Sequence, residues 1–84
     1  MKLGDWRRER GLTQQAVADE LGCVISTVAR WETGARVPEE DALKAIYILT
    51  DGAVQPNDFH DIPAWEAERI ANAAKAELAA RRAA

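Results

Sequence analysis

The chain has 84 residues, of which 48% are apolar and 30% charged, with a formal net charge of −3 and a single cysteine. This length predicts one domain. Because the sequence shows neither an apolar run long enough to span a membrane nor a secretion leader, we expect a cytoplasmic protein with no membrane partner. The lone thiol, Cys23, excludes an intramolecular disulfide and a multi-cysteine metal site, and we expect it to be a small buried hydrophobe.

The acidic net charge argues against a nucleic-acid partner, since proteins that bind nucleic acid are usually basic. The distribution of the charges weakens that argument. Residues 1–36 contain six Lys/Arg and five Asp/Glu, residues 37–61 one and six, and residues 62–84 four and three. The acidity is therefore concentrated in the central segment, and the N-terminal segment is free to present a modestly positive face.

The N-terminal third predicts two short helices. Leu3 and Trp6 lie at helical spacing within a first helix over residues 2–10. Thr13 is a good N-cap, so a second helix of about two turns follows, and Gly22 ends it.

The next segment, VISTVARWETG at residues 24–34, begins with β-branched residues that favour a strand over a helix. Its apolar residues Ile25, Val28 and Trp31 are nevertheless three residues apart, which is helical spacing, and Gly34 is a typical residue just beyond a helix. The spacing therefore predicts a third helix here.

Two further elements begin at prolines. Pro38 at a first helical position, followed by three carboxylates, predicts a fourth helix that closes at Gly52. Pro56 predicts a single helical turn that places Phe59 in the core beside Val54.

The C-terminal segment is rich in alanine, with glutamate, lysine and arginine, which predicts a last helix over residues 64–82. Glu77 and Arg81 lie four residues apart and predict an ion pair on its surface. We expect a main domain over residues 1–61 and a helical extension over residues 62–84.

Several motifs in the first sixty residues fall in register with one family. These are Arg7, GLTQQAVA at 11–18, Leu21-Gly22, Ser26-Thr27-Val28, RWETG at 30–34 and Arg36-Val37-Pro38. Together they resemble the Cro/C1-type (XRE-like) helix-turn-helix family of phage and bacterial repressors, from about Leu3 to Phe59. The resemblance implies an all-α fold, a five-helix lambda-repressor-like DNA-binding domain, with the alanine-rich C-terminal helix outside it.

In a helix-turn-helix, the second helix of the motif lies in the major groove and its early residues meet base edges. The resemblance therefore assigns DNA contact to Ile25, Ser26, Thr27 and Arg30. Arg30 suits both major-groove acceptors of guanine, the alternative being an exposed arginine paired with an acid. Ile25 fits either a thymine methyl group or a position in the core or a partner surface.

Three other polar positions have expected roles. Gln14, at the N-terminus of the second helix, fits a phosphate contact, and the resemblance implies that its amide also braces a side chain of the recognition helix. Arg36 fits a phosphate clamp in the following loop. The alternative for Gln14 is an ordinary solvated residue of the first turn. The alternative for Arg36 is a loop residue that only adds solubility. The resemblance also implies an ion pair between Arg7 and Glu32 that ties the first helix to the end of the third.

One position departs from the family. Val24 stands where the family has a serine or threonine that caps the recognition helix, and valine accepts no hydrogen bond from the first N–H groups. Either the helix begins one residue away from the expected position and Ser26 takes part in the cap, or these N–H groups are left to solvent and phosphate. The two alternatives shift the base-reading frame by one residue.

The remaining candidates favour structure over chemistry. Trp6 and Trp31 are expected in the core, whereas Trp65 fits either the core or a contact with a second chain. His60 lies beside acids but lacks enough ligands for a metal. The sequence contains no catalytic constellation and no glycine-rich phosphate loop, so we expect no enzyme, cofactor, metal or small-molecule ligand.

The expected function is that of a sequence-specific transcriptional repressor that binds double-stranded DNA. We expect a homodimer on a near-palindromic operator, paired through the C-terminal helix and Trp65. The alternative is a protein-binding module on the same scaffold, of the antitoxin or anti-repressor type. A structural subunit of a larger assembly is a third possibility.

Overall fold

The computed structural model describes residues 1–83 as a set of helices in the order α1 (Leu3–Glu9), α2 (Gln14–Leu21), α3 (Ile25–Thr33), α4 (Glu40–Leu49) and α5 (Ala64–Ala83). A 3-10 turn, Pro56–Asp58, lies between α4 and α5. The described part of the chain contains no strand, so the predicted all-α class is confirmed.

The main core lies where α1 to α4 meet. Val17, Val28 and Ile46, one from each of α2, α3 and α4, are fully buried at its centre. The complete set of buried apolar side chains in this core is Leu3, Trp6, Val17, Ala18, Val28, Trp31, Ile46 and Val54. The expected core positions of both tryptophans are therefore confirmed, and burial of these side chains supplies the main driving force for folding.

The C-terminal helix α5 packs along α4 of the same chain. Ala71 and Ala74 form a second apolar cluster with Tyr47, against which Ile48 packs. The ion pairs Arg69–Glu40 and Arg82–Asp51 join α5 to the two ends of α4. No helix within residues 1–83 is long and apolar enough to cross a membrane.

A buried hydroxyl shapes the end of α4. The Thr50 Oγ1 donates a hydrogen bond to the Ile46 carbonyl oxygen at 2.8 Å and accepts one from the Val54 backbone N–H at 3.1 Å. The hydroxyl satisfies the Val54 N–H, which would otherwise be costly to bury. The Ile46 carbonyl oxygen also accepts from the Thr50 backbone N–H at 3.0 Å. The chain then turns through Asp51 and Gly52, both with positive φ, so that Val54 enters the core.

The structure differs from three expectations, which concern the start of the fourth helix, the burial of Phe59 and the burial of Cys23. The fourth helix begins at Glu40 rather than Pro38: Pro38 is buried in a segment without regular secondary structure, and Glu39 is the N-cap residue, with extended backbone. Phe59 packs against the core cluster that contains Val54, as expected, but it is only half-buried, and the fully buried Pro56 takes the deeper position. Cys23 is likewise half-buried against the core rather than enclosed by it.

The core predicts a strong dependence on Ile46. We expect Ile46→Ala to lower the free energy of unfolding by about 2–5 kcal/mol, because it removes a fully buried side chain and leaves a cavity. Chemical denaturation followed by circular dichroism measures the change. Ile25→Ala is the matched control, since Ile25 is 44% exposed and its truncation should change stability by no more than about 0.5 kcal/mol. Equal losses in the two variants would contradict this core.

Candidate nucleic-acid interface

Helices α2 and α3 are joined by a three-residue turn, Gly22, Cys23 and Val24. Gly22 has φ of 70°, in the left-handed region that glycine adopts without strain. The Cys23 backbone N–H then donates to the Ala18 carbonyl oxygen at 3.0 Å, which closes the end of α2. Two short helices joined by a tight glycine-containing turn form a helix-turn-helix arrangement.

The two faces of α3 differ sharply in burial. Val28 and Trp31 point into the core, whereas Ile25, Ser26 and Arg30 are exposed. Thr27, which the sequence grouped with the exposed residues, is half-buried at the edge of the face. The structure thus brings Ile25, Ser26 and Arg30 onto one solvent-facing surface, with Thr27 beside it.

The structure shows where α3 begins, a point that the sequence left open. The helix begins at Ile25 with Val24 as an extended N-cap residue, and no side chain caps it. Val24 contributes only its carbonyl oxygen, which accepts from the Thr27 N–H at 3.0 Å. Ser26 therefore lies inside the first turn rather than at the cap, and the exposed first turn keeps N–H groups that α3 cannot satisfy itself.

A charged cluster locks α1, α2 and α3 together behind this surface. Arg7 of α1 donates two hydrogen bonds to the Glu32 carboxylate, from Nε to Oε2 at 2.8 Å and from Nη2 to Oε1 at 3.0 Å. The Arg7 Nη1 also donates to the Leu12 carbonyl oxygen at 3.0 Å. The predicted ion pair is present, and its bidentate geometry fixes the angle of α3 against α1.

The protonation of Glu32 reflects this environment. Burial of the carboxyl favours its neutral form, but the hydrogen bonds from Arg7 and Gln14 and the neighbouring positive charges outweigh burial, so the pKa of Glu32 lies below its ordinary value. The hydrogen bond to Glu32 raises the pKa of Arg7, despite the opposing effect of burial. Both groups are therefore charged at neutral pH.

Gln14 is held by the same carboxylate. Its Nε2 donates to the Glu32 Oε1 at 3.2 Å, so the amide braces a side chain of α3 as the resemblance implied. Next to it, the Thr13 hydroxyl accepts from the Ala16 N–H at 3.0 Å and caps α2 as predicted. Half-buried and tied to α3, Gln14 is not a freely solvated residue of the first turn.

Arg30 and Arg36 both belong to the end of α3 and its loop. The Arg30 carbonyl oxygen accepts from the Arg36 N–H at 3.2 Å and from the Thr33 hydroxyl at 3.2 Å, which folds the loop back on the helix. Both arginine side chains are exposed. Within residues 1–83, neither forms an ion pair with a carboxylate.

Two features that shape this surface, one behind it and one on it, were not visible in the sequence. Gly4 lies in α1 against the Glu32 carboxylate, and a Cβ added there would approach the Glu32 Oε1 to 3.1 Å. Val24, considered only as a cap, is 64% exposed beside Ile25. A valine where a helix needs a hydrogen-bonding cap was the sequence signal for the Val24 half of this apolar patch.

Other candidate chemistry is not brought together here. Among residues 1–83 no group of histidine, cysteine and carboxylate side chains is arranged to hold a metal ion. His60 is exposed, and Trp65 is 67% exposed on α5.

Comparison with protein families gives one match. A family model described as a helix-turn-helix domain matches residues 1–49, which contain the whole of α1 to α4. Searches of curated proteins and of solved structures found no match.

The Glu32 cluster generates a pH-dependent prediction. We expect Glu32→Gln to lower the free energy of unfolding at neutral pH by about 1–3 kcal/mol, because it leaves the Arg7 guanidinium partly buried without its counter-charge. Since the folded-state pKa of Glu32 is lowered, the pair's contribution is complete at neutral pH and is lost as the pH falls through that pKa. The difference in the free energy of unfolding between the parent and the variant should therefore become smaller as the pH is lowered.

Denaturant titrations at several pH values measure that difference. Glu9→Gln is the control, because Glu9 is exposed at the end of α1 and has no ion pair within residues 1–83. Its variant should follow the parent at every pH. A difference for Glu32→Gln that stays constant from about pH 7 to about pH 3 would argue against a charged Glu32 as the source of the stability.

Proposed function

Because the chain belongs to the helix-turn-helix domain family, a fold that points to a DNA-binding regulator, we propose that it is a sequence-specific transcriptional regulator of the Cro/C1 type. In this proposal α3 lies in the major groove, and α2 crosses the phosphate backbone. The DNA-binding unit is residues 1–61, and residues 62–84 extend it. Binding of this kind needs no cofactor and no catalytic group.

One observation carries the proposal. The solvent-facing side of α3 combines Ile25, Ser26 and Arg30, while Arg30 and Arg36 have no carboxylate partner in the described chain. An arginine already paired with an acid would have to break that pair before contacting DNA. Here the guanidinium donors are available for guanine or for phosphate.

The proposed roles of individual residues follow from their positions. Arg30, Ser26 and the methyl groups of Ile25 meet base edges, and Thr27 contacts the backbone or a base from the edge of the face. Gln14 and the uncapped start of α3 face phosphates. Arg36 neutralises a phosphate beside the groove.

One domain of this size makes few base contacts, so the proposal includes a homodimer on a near-palindromic operator. Two recognition helices about 34 Å apart then enter successive major grooves. Repression follows if the operator overlaps a promoter and the bound dimer blocks access to it. A cytoplasmic location goes with this role.

A second candidate function rests on the apolar part of the same surface. Val24 is 64% and Ile25 44% exposed at the start of α3, where a base-reading surface usually has polar side chains. An antitoxin or anti-repressor would use this patch to bind another protein. Retention on random DNA at low salt, followed by steep release as salt rises, would favour the DNA-binding function over this alternative.

The two free arginines are expected to act differently on DNA. Arg30→Ala should cost about 1–3 kcal/mol on the selected operator and relax discrimination at one base pair per half-site, because it removes contacts to a base. Arg36→Ala should weaken all duplexes alike and lower the salt slope by about one, because it removes a phosphate contact.

These effects are measured by selection of sites from random duplexes, followed by titrations at several salt concentrations. Arg81→Ala is the control, since Arg81 is exposed on α5 and paired with Glu77. It should bind as the parent does. If Arg30→Ala and Arg36→Ala also bound like the parent, α3 would not be the groove-facing helix.

A further inference from the structure

The outward face of α5 carries a regular row of exposed residues. They are spaced alternately three and four positions apart, and the row, called here the outer seam, is Trp65, Glu68, Asn72, Lys75, Ala79 and Arg82. This is the spacing of a helix that pairs lengthwise with another helix. Ile70, Ala71 and Ala74, which α5 buries within its own chain, are not part of the seam.

A cleft borders the C-terminal half of the outer seam. It has a volume of about 460 Å³ and lies between α4 and α5, lined by Tyr47, Asp51, Lys75, Leu78, Ala79 and Arg82. The rim carries Lys75, which has no ion pair within residues 1–83, and the Arg82–Asp51 ion pair. Tyr47, Leu78 and Ala79 supply apolar surface. An indole ring gains from apolar contact and from a cation such as Lys75 over its face.

The chain's own Trp65 cannot fill this cleft. Trp65 and Ala79 belong to one continuous helix and are separated by about 21 Å along its axis. Trp65 is 67% exposed and belongs to neither apolar cluster of the described residues. Trp is also among the residues most enriched at the energetic centres of protein interfaces.

The charges of the outer seam are self-complementary when two copies run antiparallel. The ion pairs of α5 involve Glu66, Arg69, Glu77, Arg81 and Arg82, and within residues 1–83 they leave Glu68 and Lys75 without partners. When two copies of α5 pair antiparallel with their midpoint near Asn72, Glu68 of one copy lies opposite Lys75 of the other. The same register sets Trp65 opposite Ala79, beside the cleft.

We propose that a second copy of this chain occupies the outer seam, and that each Trp65 fills the cleft of the other protomer. The contact is isologous: both protomers use the same surface, and the two-fold axis passes near Asn72. The inference rests on the homodimer included in the proposed function. It adds the interface, its direction and its register.

Sedimentation equilibrium of the full chain over a range of concentrations tests whether Trp65 holds the dimer together. Trp65→Ala should raise the dimer dissociation constant by about tenfold or more while the circular dichroism spectrum stays helical. Val37→Ala removes an apolar side chain that is 42% exposed and lies outside both the outer seam and the Val24–Ile25 patch, and it should leave the dissociation constant unchanged. Unchanged association of Trp65→Ala, or a parent that stays monomeric, would overturn the interface.

Two further experiments, a charge exchange and a cross-link, test whether the two copies of α5 run antiparallel and in the proposed register. Glu68→Lys and Lys75→Glu should each weaken the dimer, and the double variant should recover it, because the opposed charges are restored with reversed signs. In a Cys23→Ala background, Asn72→Cys should form a disulfide-linked dimer on oxidation, whereas Ala73→Cys, exposed but off the seam, should not. Failure of the double variant to recover association would overturn the antiparallel register.

DNA binding by the same variants separates this inference from the proposed function. Trp65→Ala that is monomeric but still retained on random DNA would support the interface and leave DNA binding intact. A chain that dimerises through the outer seam but shows no salt-dependent DNA retention would support the interface and contradict the proposed function.

Discussion

The geometry of the candidate DNA-facing surface depends on the contact between Arg7 and Glu32. The Glu32 carboxylate receives two hydrogen bonds from Arg7 of α1 and one from Gln14 of α2, so one side chain of α3 is held by both preceding helices. Gly4 leaves just enough room for it beside α1. Because a bidentate pair fixes orientation as well as distance, a small change here would rotate the whole exposed face of α3.

Helix α3 obtains its stability from packing rather than from its own sequence. It lacks a side-chain cap and begins with β-branched residues, both of which weaken an isolated helix. Val28 and Trp31 compensate by burial in the core, and the Glu32 cluster holds the opposite end. This arrangement leaves the first turn of α3 open to solvent, where the proposed function requires phosphate and base contacts.

The acidic central segment is partly neutralised by the C-terminal helix. Arg69 pairs with Glu40 and Arg82 with Asp51, and the hydrogen bond from Arg69 lowers the pKa of Glu40. The arginines that remain without carboxylate partners in residues 1–83 include Arg30 and Arg36, at the end of α3 and in its loop. A chain with a net negative charge thus keeps unpaired positive charge on the one face proposed to meet DNA.

The sequence by itself determined the helices, the glycine turn between α2 and α3, both core tryptophans and the pairing of Arg7 with Glu32, because these depend on local spacing or on motifs that fall in register. Only the tertiary structure decided that Val24 is an exposed, uncapped start, that Pro38 is buried in the loop before α4, and that Thr27 is half-buried. It also decided that α5 covers α4 and leaves Trp65 in solvent. Each of these depends on which side chains compete for the same buried space, and residues distant in sequence settle that competition.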